Sequence, residues 1–435
     1  MIIEIKRSGP LLGRVRLPGD KSISHRALLF ASFARGNSVI ENILDANTTR
    51  HMVDVLVNLG VPIKIFTNSE GSPTAKITGC PLLEYNRPKI TVDCKRSATT
   101  MRFFMGALAA VPSDVYLIGD NVLNQRPMER VALPLRLMGA TVETTNGHAP
   151  VYMRGGQLNG IDYRMPVSSG QLQTALLLAA LNASSNSTIS YEGTIRDHSV
   201  RLLRAQGANI ESIPGQIFVR PSTLNPLNVS IPGDMSSASF LIAAAILVPE
   251  SDITIERVNL NPGRIGLLNA VSEMGASISI EDQYNIAGEP CGDIRVRHSK
   301  LRGIELSSDQ VLTMIDEIPI FAVLSLAAHG TTTVRDAAEL RVKDTDRIDS
   351  IITSLSPFSA KITPRNDGFS VVGPQKLAGC VVKSEKDHRI EMSMIVAALV
   401  ANGSTQILDA GEYKESFPSF LEILNQHGAT LQCRV

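Results

Sequence analysis

Six segments of this chain end in the same way: a helical stretch is stopped by a small residue and continues as a strand. The stops are Leu59-Gly60-Val61, Met138-Gly139-Ala140, Gln206-Gly207-Ala208, Met274-Gly275-Ala276, His427-Gly428-Ala429 and a degenerate copy, Phe358-Ser359-Ala360. Glycine just past a helix supplies a left-handed cap. The segment Ala140-Thr141-Val142-Glu143 beyond one stop alternates with strand period. Ahead of each stop come a polar start, an apolar helix, a β-branched strand such as 331–334, and an amphipathic helix. The apolar helices are expected over 22–33, 99–110, 169–181, 236–247, 315–328 and 388–400. They are apolar nearly all round, as buried helices are. One amphipathic helix is 131–138, with Pro134 expected in its first turn. The stops lie about 70 to 85 residues apart, too far for a short solenoid repeat and suited to a βαβαββ unit.

Six such units predict an α/β protein of two lobes with three units each, buried helices inside and sheets outside. A length of 435 residues suits two or three domains. Leu17-Pro18-Gly19-Asp20 and Ile231-Pro232-Gly233-Asp234 share one composition and mark the crossings. The expected lobes are therefore 1–20 plus 234–435 and 21–233, with a ligand cleft between them. Lys plus Arg and Asp plus Glu both number 42, so net charge is zero and no global field draws in nucleic acid or an acidic membrane. Any anion site must be local. Trp is absent and aromatic residues make up 4%, which argues against stacking platforms for single-stranded nucleic acid. Cys80, Cys94, Cys291, Cys380 and Cys433 lack metal-ligand spacing and suit a reducing cytoplasm. The short, charged start Met-Ile-Ile-Glu-Ile-Lys-Arg does not suit a signal peptide, and no uninterrupted apolar run of membrane-spanning length occurs.

Polar residues gather at the helix starts. Pro18-Gly19-Asp20-Lys21-Ser22-Ile23-Ser24-His25-Arg26 sets a Lys, two Ser and an Arg around a helix N-terminus, where free N–H groups and the dipole favour an anion. An Asp-capped helix with a solvated basic edge explains the same residues. Ser168-Ser169-Gly170-Gln171 offers hydroxyls and an amide to a phosphate or a sugar-like ligand, or merely caps its helix. Arg126 precedes Pro127 in one loop and Arg196-Asp197-His198 occupies another. Residues 341–347 form the densest charge cluster, and Asp387-His388-Arg389 opens the sixth apolar helix. An Arg at the start of an apolar helix is costly unless it meets an anion. Asp316-Glu317 opens the fifth, as a cap or as a general base.

In this order, the segments resemble the 5-enolpyruvylshikimate-3-phosphate synthase family over essentially the whole chain. The signatures are residues 18–26, Arg126-Pro127-Met128, Pro232-Gly233-Asp234-Met235-Ser236-Ser237-Ala238, Ile315-Asp316-Glu317-Ile318-Pro319, residues 341–347 and Asp387-His388-Arg389. The resemblance implies the two-lobed enolpyruvyl transferase fold and transfer of the enolpyruvyl group of phosphoenolpyruvate to the 5-hydroxyl of shikimate-3-phosphate. Phosphate leaves through a tetrahedral intermediate. It implies no metal or organic cofactor, small anionic substrates as the partners, and a monomer. Carried over by motif, Ser22, Arg26, Ser169, Gln171 and Arg196 would hold the acceptor. Lys21, Arg126, Arg347 and Arg389 would hold phosphoenolpyruvate. Asp316 would take the hydroxyl proton, with Lys343 beside it and Lys21 and Asp344 in the catalytic set.

The sequence departs from the family on the phosphoenolpyruvate side. The family's Asp-Cys-Gly-Asn-(Ser/Ala)-Gly-Thr is here Asp93-Cys94-Lys95-Arg96-Ser97-Ala98-Thr99, which adds bulk and charge at Lys95 and Arg96 and a methyl group at Ala98. Asp344 replaces a Glu and is one methylene shorter. Glu415 stands where the family has Lys before Ser416-Phe417-Pro418, and Lys414 is one place earlier. Three accounts compete: a synthase with compensating changes, a paralogue acting on a nucleotide or cyclitol phosphate, and a protein that binds a shikimate-like phosphate without transfer. A UDP-N-acetylglucosamine transferase is disfavoured because residues 121–125 contain no Cys.

Overall fold

The five glycines of the repeated stop all have positive φ in the computed structural model, from 83° at Gly207 to 120° at Gly428. Ser359, the degenerate copy, takes the same left-handed conformation at φ 65° without being glycine. The structure describes residues 1–84, 88–306, 308–342 and 345–434. Lys343 and Asp344, both expected in the site, lie outside the described residues.

The repeat is seen complete in its second copy. Strand Lys89–Asp93 runs into helix Ala98–Leu108, strand Asp114–Ile118, helix Glu129–Leu137 and the hairpin Thr141–Thr145 and His148–Arg154. The first two strands pair in parallel, and the other pairings are antiparallel. In Asp114–Ile118, Val115 and Leu117 are buried while Tyr116 and Ile118 face solvent, which is the period of a sheet with one covered face. The described residues form six sheets of four strands each. Pro134 sits in the middle of Glu129–Leu137, not in its first turn as expected.

The six buried helices are Lys21–Ser32, Ala98–Leu108, Gly170–Leu181, Met235–Leu247, Ile318–Ala327 and His388–Val400, here called the first to the sixth. The fifth starts three residues later than its apolar pattern suggests. Glu317 is its N-cap and Pro319 occupies its first turn, where a missing N–H is harmless. Asp316 therefore stands just outside the helix.

The chain packs as two units, a flanking unit (Met1–Pro18, Pro232–Asn285 and Pro290–Val435) and a middle unit (Gly19–Ile231 with Ile286–Glu289). In the flanking unit, Ile2–Ile5 lies between Thr405–Leu408 and Leu431–Arg434, and Leu12–Arg16 pairs in parallel with Asp252–Asn259. Its core includes Phe240, Phe321, Phe417 and Phe420. In the middle unit, Asn228–Ser230 returns beside Gly36–Glu41. Its second and third helices approach so closely that a Cβ on Gly106 would lie 2.2 Å from the Ala175 carbonyl oxygen. No helix among the described residues is long and apolar enough to cross a membrane.

Two kinds of glycine requirement are separable by experiment. A Cβ at Gly275 meets nothing within 4 Å, but φ is 93°. Gly275→Ala should cost about 1–2 kcal/mol through the backbone alone. Ser359→Gly should stabilise or leave stability unchanged. Gly106→Ala should cost more than Gly275→Ala, since a backbone must move. Urea denaturation of the three variants ranks them.

Candidate active site

In the middle unit, the starts of the first three buried helices carry the expected residues. Asp20 is buried and accepts from the Ile23 amide at 2.8 Å, which caps the first helix and leaves Lys21 and Ser22 half-buried in its first turn. One turn on, Arg26 is buried. Its Nε donates to Ser199 Oγ at 2.7 Å, Nη1 to the Ser22 carbonyl at 2.9 Å, and Nη2 to the Gly170 carbonyl and Thr174 Oγ1, both at 3.1 Å. The guanidinium also stands 4.9 Å from the centre of the Phe103 ring, a cation–π contact. His25 bonds the Lys21 carbonyl, and burial pushes its ring down to about 4, so it is neutral near pH 7.

Ser169 caps the third helix by accepting from the Leu172 amide. Gly170 lies against the Arg196 carbonyl and the Arg26 guanidinium, so the loop of Arg196 reaches the same helix start. The Gln171 amide is fixed at both ends: Nε2 donates to Thr99 Oγ1 at 2.7 Å, and Oε1 accepts from Arg102. Arg102 also donates to the Pro127 carbonyl at 2.8 Å and so ties down the residue after Arg126, itself half-buried. Three helix N-termini, with Lys21, Arg26 and Arg102 on them, make an anion-favouring surface within this unit. His198 turns inward instead, with Nδ1 2.7 Å from Glu289.

The charged departures in the loop before the second helix are exposed and paired with acidic neighbours. Lys95 and Arg96 have side chains 57% and 63% exposed, with Lys95 paired to Asp93 and Arg96 3.7 Å from Asp120. Lys95 is left-handed at φ 48°, which accounts for the family's glycine there. Its amide donates to Asp93 Oδ1 at 3.0 Å, and this turn holds the strained residue. Ala98 is half-buried in the first turn of the second helix.

The flanking unit holds a buried ionic cluster at the starts of its three buried helices. Asp316 Oδ1 accepts from Arg347 Nη1 at 3.2 Å. Its Oδ2 lies 3.9 Å from Nη2 of Arg389 and 3.9 Å from Nη1 of Arg264. Arg347 Nε donates to Asp387 at 2.8 Å, and Arg389 Nη1 donates to the Asp316 carbonyl at 3.1 Å and Glu317 Oε1 at 3.4 Å. Arg264 Nη2 donates to Ser236 Oγ at 2.6 Å and Asp234 Oδ1 at 3.2 Å, and Ser236 donates on to Glu317. Asp234 and Asp387 also cap the fourth and sixth helices. Burial pushes the Asp387 carboxyl up, but the Arg347 charge, His388 and two N–H donors prevail and hold it at about 2.

Lys414 and Glu415 lie on the turn Glu412–Glu415, where Lys414 is exposed with Nζ 5.9 Å from the Tyr413 ring. That turn is anchored by Glu391, a fully buried carboxylate accepting from the amides of Gly411 (3.1 Å) and Tyr413 (3.0 Å). Arg102 and Arg264 were missed by the motif reading. Arg102 leaves a signal, a lone cation inside Met101-Arg102-Phe103-Phe104, since a buried Arg needs partners. Arg264 follows Asn261-Pro262-Gly263 and looks like any turn residue.

Comparison with known proteins agrees over the whole chain. The family model for EPSP synthase (3-phosphoshikimate 1-carboxyvinyltransferase) matches residues 5–424. The chain is 43% identical over 420 residues to a 3-phosphoshikimate 1-carboxyvinyltransferase of Syntrophomonas wolfei, covering 96% of this chain and 97% of the relative. It is 42% identical over 425 residues to the protein of that name from Synechococcus sp. strain RCC307, with the same coverage. An EPSP synthase structure from Acinetobacter baumannii superposes with a TM-score of 0.90 at 33% identity, covering 100% of both chains.

The Asp387 ion pair gives a pH test. A carboxyl at about 2 in the fold and near 3.8 unfolded adds stability that is complete above pH 4 and lost as pH falls toward 2. Its size is about 2 kcal/mol. Asp387→Asn should lose roughly that much at neutral pH, and the gap to the parent should close between pH 4 and 2 in denaturant titrations.

Proposed function

As a member of the EPSP synthase family, this chain can be read through its site residues, and we propose that it transfers the enolpyruvyl group of phosphoenolpyruvate to the 5-hydroxyl of shikimate-3-phosphate, releasing inorganic phosphate. The observation that carries this reading is the Asp316 carboxylate held among guanidinium groups in the flanking unit. A carboxylate can accept the hydroxyl proton, and guanidinium groups suit a donor that carries a phosphate and a carboxylate.

The residue roles divide as follows. Ser22, Arg26, Ser169, Gln171 and Arg196 bind the phosphorylated acceptor, with Gln171 presented in one orientation by Thr99 and Arg102. Lys21 and Arg126, with Arg347 and Arg389, bind phosphoenolpyruvate. Asp316 takes the proton from the attacking oxygen as that oxygen bonds to C2 of phosphoenolpyruvate, and the C3 methylene gains a proton from Asp344, which holds the place of the family's Glu. The tetrahedral intermediate then loses phosphate and returns a methyl proton to Asp344, which restores the double bond. Catalysis in this scheme comes from charge neutralisation and orientation of two anions. Lys95 and Arg96 are held by Asp93 and Asp120, so their charges are already partnered within the loop.

Phosphate release from phosphoenolpyruvate, measured with shikimate-3-phosphate, UMP and cyclitol phosphates in parallel, tests the reading. Release with shikimate-3-phosphate alone is expected; release only with another acceptor would replace it. Arg126→Ala should abolish turnover with unchanged circular dichroism. Asp316→Asn should lower kcat by about 100-fold or more while KM for the acceptor changes little. An equal loss in binding would make Asp316 a structural cap.

A further inference from the structure

Arg264 has no part in the reaction as divided above, yet it faces the same carboxylate as two donor-binding arginines. Its side chain is 3% exposed. It lies between the turn Asn261-Pro262-Gly263 and the helix Gly266–Glu273. Among the described residues, three cations stand around Asp316, and they differ in what else holds them. Arg347 is anchored by Asp387, and Arg389 by Glu317 and the Asp316 carbonyl. Arg264 is anchored on Asp234 and Ser236 at the start of the fourth buried helix, and reaches Asp316 Oδ2 with its other nitrogen at 3.9 Å.

Arg347 and Arg389 are the groups a bound phosphate or carboxylate draws on, so an anionic donor competes with Asp316 for them. Asp316 is half-buried, and a partly desolvated carboxylate stripped of its cations is pushed toward its protonated form and is free to rotate. We propose that Arg264 is a positioning residue that keeps Asp316 ionised and oriented while phosphoenolpyruvate engages Arg347 and Arg389. The inference rests on the reading of Asp316 as the base. Its anchors suit the role: Asp234 and Ser236 both hold Nη2, and the rigid plane of the guanidinium then aims Nη1 at Asp316. Through Ser236 the same residue is connected to Glu317, the neighbour of Asp316. Among the described residues, the charged groups recorded around Asp316 are Arg264, Arg347, Arg389 and Glu317, with Asp234 and Asp387 behind the arginines and His388 beside Asp387.

The test is steady-state phosphate release by full-length Arg264→Gln and Arg264→Lys across about pH 5 to 9. Arg264→Gln should lose about 100-fold in kcat with KM for phosphoenolpyruvate changed less than about threefold. The acid limb of its kcat profile should move up by about one pH unit, because Asp316 then holds its proton more tightly. Arg264→Lys keeps the charge but loses the planar fork, so its limb should stay at the parent position and its kcat should fall by about three- to tenfold. An unshifted limb in Arg264→Gln, a loss confined to KM, or a parent-like kcat overturns the assignment. If Arg264→Gln does not fold, Arg264→Lys decides: a lower kcat at unchanged KM supports the role, and an unchanged kcat or a KM loss removes it. Parent protein that releases no phosphate from the two substrates would remove Asp316's role and this one with it. An active parent with an unaffected Arg264→Gln would remove this one alone.

Discussion

A helix buried along its length must satisfy its first N–H groups without water, and this requirement organises the molecule. Each of the six buried helices begins at a polar or acidic residue: Asp20, Ser97, Ser169, Asp234, Glu317 and Asp387. Once those caps are inside, their charges need counter-charges, and arginines follow. Arg26, Arg102, Arg264, Arg347 and Arg389 are all buried and all engage the starts of these helices. Chemistry that handles anions is built from the groups that the packing problem already demands.

The two units solve this problem differently. In the middle unit two of the three caps are serines, and the cations there lean on carbonyls, hydroxyls and an amide. In the flanking unit all three caps are carboxylates, and the arginines are held in ion pairs. Neutral partners leave net positive character, whereas acidic ones cancel it until a ligand intervenes. An acceptor-binding role for the first set and a proton-transfer role for the second are consistent with that contrast.

Much of this was legible in the residues. The glycine stops announce the repeat because a left-handed cap has few chemical solutions, and Ser359 was recognisable only because five better copies surround it. Helix starts were found to within a few residues where a polar cap borders an apolar run. The fifth was displaced because Ile315 continues the apolar pattern outside the helix, and Pro134 was misjudged because amphipathic spacing does not report where a helix begins. In the site, Arg389 was visible as a cation at the start of an apolar helix, and Arg347 as part of the densest charge cluster. Arg264 was not, because its recorded partners, Asp234 with Ser236 and Asp316, are distant in sequence. The left-handed backbone at Lys95 is a twist that residue type alone does not specify.

Glu391 has a consequence for motion. One carboxylate on the sixth helix grips two amides of the chain about twenty positions on, so the turn Glu412–Glu415 is stitched to the element that bears Arg389. The amides of Gly411 and Tyr413 sit in a surface-looking segment, but they open only when that stitch is released. Their deuterium uptake will then follow the slow breathing of the interior, not the fast fraying of a loop.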